Sequence, residues 1–174
     1  MAFRKKFLWI TTLFLAGFSL SGCGEDAALE QFYTEMDDFT TQADMDFDAL
    51  NQIDPLSENA VEDMLSAMDN LAVSFQTLAE INVPKQFSSI ESLADEAGSY
   101  MSEAANLYRE AYSDGSYNEN IAVAAQENYS RAVRRMDYIA GILQGEMPTD
   151  DSVTITTENN APGFKEDTQT EAEE

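Results

Sequence analysis

Apolar residues recur at steps of three and four along four successive stretches, and turn-forming residues separate them. In the first, about Glu25 to Ile53, the stripe is Leu29, Phe32, Met36, Phe39, Ala43, Phe47, Leu50 and Ile53, with acids on the other faces. That pattern predicts an amphipathic helix. Asp54-Pro55 ends it, because proline disfavours helix at the residue before it. Ser57 is read as the N-cap of the second helix, with Ala60 where a capping box would carry Glu. This helix spans about Glu58 to Ile81 through Val61, Met64, Met68, Leu71, Phe75 and Leu78, and stops at Asn82-Val83-Pro84. The third is expected from about Lys85 to Ser113, with Pro84 tolerated at its first turn. Its stripe is Phe87, Ile90, Ala94, Ala97, Met101, Ala104, Tyr108 and Ala111. Ser113-Asp114-Gly115-Ser116 reads as a turn. The fourth, about Tyr117 to Gln144, runs through Ala122, Ala125, Tyr129, Ala132, Met136, Ile139 and Leu143, with Gly145 at its C-terminal cap.

Four helices of similar length with short links must lie antiparallel to their neighbours. The expected fold is all-α, an antiparallel up-down-up-down four-helix bundle roughly 40 Å long at about 1.5 Å per residue. Bulky side chains on the first two helices face many alanines on the last two, a pairing of large and small that fills a core. From Glu146 to Glu174 the chain turns to Thr, Asn and Glu with few large apolar residues. This segment is expected to be a disordered acidic tail. Val153-Thr154-Ile155-Thr156-Thr157 is too short and isolated to build a sheet. The first helix starts, and the fourth ends, at the same end of the bundle. The loops around Asp54-Pro55 and Asp114-Gly115 are placed at opposite ends.

The N-terminal segment changes the picture. Arg4-Lys5-Lys6 precedes an apolar run from Phe7 to Leu20, followed by Ser21-Gly22-Cys23. A charged region, an apolar region and small residues form an export signal. The apolar run, 14 residues, is shorter than the roughly 17–25 of a membrane span. Leu20-Ser21-Gly22-Cys23 resembles the lipobox of bacterial lipoproteins. The resemblance implies diacylglyceryl transfer to the Cys23 thiol, cleavage between Gly22 and Cys23, and retention of the mature chain on a membrane. Two acyl chains suffice for stable anchoring, at about 0.8 kcal/mol per buried methylene. Gly24 follows the cysteine, and in a cell with two membranes the lipoprotein class reads the lack of Asp there as weighing against inner-membrane retention. In a cell with one membrane the protein would face the outside. The expected layout is residues 1–22 as signal peptide, 23–145 as lipid-anchored bundle and 146–174 as tail.

Charge and composition then exclude chemistry. Of nine basic residues against 33 acids, three precede Cys23, which leaves six and a formal charge of −27. So acidic a surface repels nucleic acid and anionic lipid. The chain has one cysteine and no histidine. An intramolecular disulfide is excluded. So are triads that need an imidazole base, the Glu-x-x-His pairs of di-iron bundles and histidine ligands to zinc or haem. No cofactor or metal site is expected, and the reading is non-enzymatic. Asp44-Met45-Asp46-Phe47-Asp48 imitates the start of a calcium loop, but Ala49 and Pro55 stand where that loop needs Gly and Glu. The acids are read as the wet face of a helix.

Two classes of function survive. Arg131, Arg134 and Arg135 form a basic cluster on one side of the fourth helix, either a site for an anion or for an acidic partner's carboxylates or, the favoured reading, a set of salt bridges to nearby acids. Tyr112, Tyr117 and Tyr138 are the surface tyrosines of the same half, whereas Tyr108 and Tyr129 fall on core stripes. Arginine and tyrosine are enriched at binding hot spots. The favoured reading is a membrane-anchored extracytoplasmic interaction or accessory module for another extracytoplasmic or membrane protein. The alternative is a binding protein for small cationic ligands: metal ions, polyamines or basic peptides. The alternative needs a concave site where acids converge, and the helical stripes show none. The mature part also resembles, in layout alone, the small acidic helical-bundle lipoproteins of bacteria that lack an assigned function.

Overall fold

A computed structural model of the chain describes residues 25–113 and 116–146. The segment 20–23 read as a lipobox, with Gly22 and Cys23, the turn residues Asp114 and Gly115, and the tail from residue 147 lie outside the described residues. Four helices form an antiparallel four-helix bundle: α1 (Glu25–Asn51), α2 (Ala60–Glu80), α3 (Ser88–Ala111) and α4 (Glu119–Leu143). Cross-helix contacts show the antiparallel register. Asp69 meets Arg109 and Gln76 meets Ser102 between α2 and α3. Glu96 meets Arg135 and Tyr108 meets Gln126 between α3 and α4.

The expected stripes make the core, apart from Val61, which stands exposed in the first turn of α2. Phe32, Phe75, Leu71, Ile90, Met101, Ala97 and Ala132 are among its fully enclosed residues. The helices are not equally close. α3 and α4 pack most intimately and α1 stands furthest out, beside α2. Side-chain size explains the difference. Alanines at 97, 104, 125 and 132 let α3 and α4 approach. Gly98 does the same between α2 and α3, since a Cβ there would lie 3.0 Å from the Phe75 carbonyl oxygen. Phenylalanines hold α1 away. Phe39 and Phe47 each meet Phe75 edge-on, with centroids at 5.8 and 6.2 Å, and Phe47 meets Tyr129 of α4 at 6.3 Å.

The helix ends depart from the sequence reading at several places, among them the end of α3 at Ala111, two residues before Ser113. α1 ends at Asn51, not Ile53. Ser57 is not the cap of α2. It lies in a turn organised by Asp54, which accepts from the Leu56 N–H through its side chain and from the Ser57 N–H through its carbonyl. α2 starts after Asn59, whose side chain makes no capping bond. Lys85–Phe87 forms a single 3-10 turn before α3. Phe87 leaves helical geometry (φ −118°, ψ 23°) and stacks its ring on Phe32 at 5.5 Å. α4 starts two residues later than expected, because Asn118 caps it by accepting from the Ile121 N–H. Gly145 does close α4: at φ 79° it donates to Ile142, and Glu146 donates to Gly141 at 2.8 Å, the paired bonds of a Schellman cap.

The Phe32–Phe87 stack also corrects the placement of the loops. It brings the start of α1 to the start of α3, so both helices run from the same end. Their far ends, with the 52–59 connection and the link around Asp114-Gly115, therefore share the opposite end. Two successive antiparallel hairpins return the chain to the same level, and this parity requires the first and third links to coincide.

Candidate functional site

The arginine cluster divides. Arg135 is buried, with 10 % of its side chain exposed, and its Nε donates to Glu96 Oε2 of α3 at 2.5 Å. Its guanidinium lies between the Tyr100 and Tyr138 rings, 5.6 and 6.0 Å from their centroids. A planar cation enclosed by two aromatic faces and one carboxylate is a clamp between α3 and α4. The salt-bridge reading applies to this residue. Arg131 also lies over the Tyr100 ring, 5.8 Å from its centroid, and remains exposed beside Glu127 at 3.8 Å. Arg134 is exposed on the same helix.

The tyrosines divide as well. Tyr138 belongs with the arginine clamp. Tyr112 and Tyr117 pair with each other at 5.1 Å, where α3 hands over to α4, and Tyr117 is exposed. Between Tyr117 and Arg135 lie most of the residues of α4, about 27 Å of helix at 1.5 Å per residue. The six residues proposed from the sequence therefore make two separate patches, not one face. Burial raises the Tyr108 hydroxyl above the ordinary tyrosine range, with Tyr112 and Tyr117 adding to it. Burial does the same to Tyr129, with a further contribution from Tyr108.

The structure also holds a concave site that the sequence reading missed. An open groove of about 820 Å³ runs along the outer side of the α1–α2 seam. Glu35, Asp38, Gln42 and Asp46 supply its α1 wall at steps of three and four, one helical row beside the core stripe. Asn70, Ser74, Thr77 and Glu80 supply the α2 wall, over a floor that includes Phe39, Val73 and Ile81. The groove exists because the Phe39–Phe75 and Phe47–Phe75 rings space the helices, while the short polar side chains outside those rings do not refill the gap. No lining residue is basic. Val73 is 67 % exposed in it. Met45, also exposed, lies seven residues after Asp38 and so on the same flank of α1. The signal was present as two polar rows, but only the packing of α1 against α2 shows that they face each other.

Asp46 closes the inner end of that seam. It is buried, and it accepts from Ser74 Oγ at 2.5 Å and from Gln42 Nε2 at 3.0 Å. The Asp44–Asp48 run thus lies within α1, with Phe47 packed against the core. Desolvation raises the Asp44 carboxyl above its ordinary value, and Asp48 one turn on adds repulsion. Among the described residues, no three carboxylate, thiol or imidazole side chains converge as a metal site, and no helix is long and apolar enough to cross a membrane. No protein-family model, curated protein or solved structure matches the chain.

Proposed function

We propose that the protein is a lipid-anchored extracytoplasmic lipoprotein whose bundle acts as a non-enzymatic interaction module for another extracytoplasmic or membrane protein. The open α1–α2 groove carries the reading. The apolar stripes of the four helices pack into one core cluster, and on the outside of that core the α1–α2 seam offers a trough with polar walls and the exposed Val73. Mostly apolar concavities with a few placed polar groups are the usual form of a recognition site. The lipobox resemblance supplies the address. α1 begins at Glu25, two residues after Cys23, so a lipid on that thiol would hold the bundle directly at the membrane.

Crosslinking in intact cells tests the reading. The native protein should fractionate with membranes and yield one defined crosslinked partner in constant proportion. Cys23→Ser should release the protein from the membrane and lose the partner, with helicity unchanged. Membrane attachment that survives Cys23→Ser, or crosslinks to abundant neighbours alone, would overturn it.

The acid-lined groove also favours the second reading, an extracytoplasmic binder of small cations. Under that reading, spermine or calcium ions should raise the thermal midpoint of the purified protein saturably at physiological salt. A rise that merely tracks ionic strength would exclude it.

A further inference from the structure

We infer that the α1–α2 groove is the docking site for a basic amphipathic helix of the protein partner. This identification rests on the interaction-module reading and names what the module holds.

Three observations converge on that occupant. The first is shape. From Glu35 to Asp46 the groove follows eleven residue steps of α1, about 17 Å at 1.5 Å per residue, which matches roughly three turns of a helix laid along it. The second is polarity. Val73 is widely exposed in the groove, beside the already buried Phe39 and Ile81, so an incoming apolar stripe would take the Val73 side chain out of water. Helix-in-groove recognition works by such a stripe at i, i+3, i+4 and i+7. The third is charge. Glu35, Asp38 and Glu80 line the groove and no basic residue does, so the flanks of the occupant carry Lys or Arg.

The same charge argument removes the nearest alternatives. The chain beyond residue 146 carries eight acids and one lysine, so its own tail is repelled. A second copy brings the same acidic surface, and its Arg109, Arg131 and Arg135 are already paired with Asp69, Glu127 and Glu96.

Binding of defined peptides to the full chain, as purified from expressing cells, tests the inference. The main probe is a helical peptide of about 14 residues with leucines at i, i+3, i+4 and i+7 and lysines elsewhere. A second peptide keeps the lysines and replaces the leucines with alanine, and spermine is the third probe. The Leu/Lys peptide should bind saturably at physiological salt. The triple variant Glu35→Gln, Asp38→Asn, Glu80→Gln should weaken it by about tenfold, since exposed charge pairs each contribute modestly. An equal loss of charge on the exposed side of α3, by Asp95→Asn, Glu103→Gln and Glu110→Gln, should leave affinity within about twofold. Val73→Lys places a like charge in the exposed floor and should abolish binding with the fold intact.

Equal weakening by both triple variants would overturn the inference in favour of a diffuse acidic field. Equal binding of the alanine peptide or spermine would overturn it in favour of small cations. Crosslinking in cells separates the two levels. A partner still captured by the groove triple variant refutes the groove and keeps the module. Absence of any partner, with groove-dependent peptide binding intact, refutes the module in the cell and keeps the groove's preference for a basic amphipathic helix.

Discussion

Ser74 of α2 donates its hydroxyl to the Asp46 carboxyl of α1 at 2.5 Å, and both residues are buried. This is a polar tie in the one seam that aromatic rings hold open. Ser74→Ala leaves Asp46 with its bond from Gln42 on α1 and should destabilise the fold by about 1.5–3 kcal/mol, as loss of a bond to a buried carboxyl group does. Thr77→Ala, which removes an exposed bond to its own helix, should stay within about 0.5 kcal/mol. Urea unfolding of the two variants checks the contrast, and equal midpoints would remove the tie.

Arg135 and Arg131 should separate sharply in stability. Arg135→Ala removes a buried guanidinium, its stem packing and a 2.5 Å bond to a half-exposed Glu96, with an expected loss of about 1–3 kcal/mol. Arg135→Lys should recover little, because an ammonium lacks the planar face that lies between Tyr100 and Tyr138. Arg131→Ala should cost less than about 0.5 kcal/mol, its pair with Glu127 being exposed and 3.8 Å long. Thermal or chemical unfolding of the three variants decides.

Two glycines inside helices should respond with opposite sign to alanine. At Gly98 the new methyl group meets the Phe75 carbonyl oxygen at 3.0 Å and the Ala79 methyl at 3.3 Å. Backbone cannot easily yield there, so α2 and α3 must part, and the loss should be about 1–3 kcal/mol despite alanine's better helix propensity. At Gly141 the nearest atoms are 3.8 Å away, and the same exchange should stabilise by about 0.5–1 kcal/mol. A Gly98→Ala variant as stable as the parent would refute the close approach.

At alkaline pH the buried tyrosines should weaken the fold. The folded state holds the Tyr129 proton more tightly than the unfolded chain, because burial raises the hydroxyl above its ordinary value of 10.0. The associated stability is present below that value and is lost as pH rises through the folded one. Stability should therefore fall above pH 10, and Tyr129→Phe should fall less steeply there than the parent. Identical alkaline slopes in urea titrations would show that Tyr129 is not a contributor.

On the acid side Asp44 acts in the same direction. Its folded value is raised above 3.8 by desolvation and by Asp48, so its ionised form opposes folding at neutral pH and its protonation relieves the strain as pH falls through the folded value toward 3.8. Asp44→Asn should be the more stable protein at pH 7, with the advantage closing by about pH 3. A difference that does not change with pH would place the effect elsewhere.

The bundle was legible because helical stripes such as Phe32, Met36, Phe39 and Ala43 are local, and their period encodes one buried face. Helix ends were less so. Phe87 leaves the helix to reach Phe32, and Asn118 outcompetes Tyr117 for the start of α4. Both outcomes depend on packing that no short window contains. Arg135 looks like a surface residue until Glu96, 39 positions earlier, and two tyrosine rings enclose it. The groove was hidden for a related reason. Its walls are ordinary polar rows, and the space between them comes from the Phe39, Phe47 and Phe75 rings at the seam.

The Phe32–Phe87 stack, with the even number of helices, has a mechanical consequence. Residues 25 and 146 leave the bundle at the same end, so tension applied between them acts across the helix seams and not along them. Helices loaded this way separate by unzipping, one layer of side chains at a time, at lower force than shearing would need. α1, the helix at the N-terminal end of the bundle and the least closely packed, is the one that yields first, and its departure from α2 splits the groove into two unmatched walls.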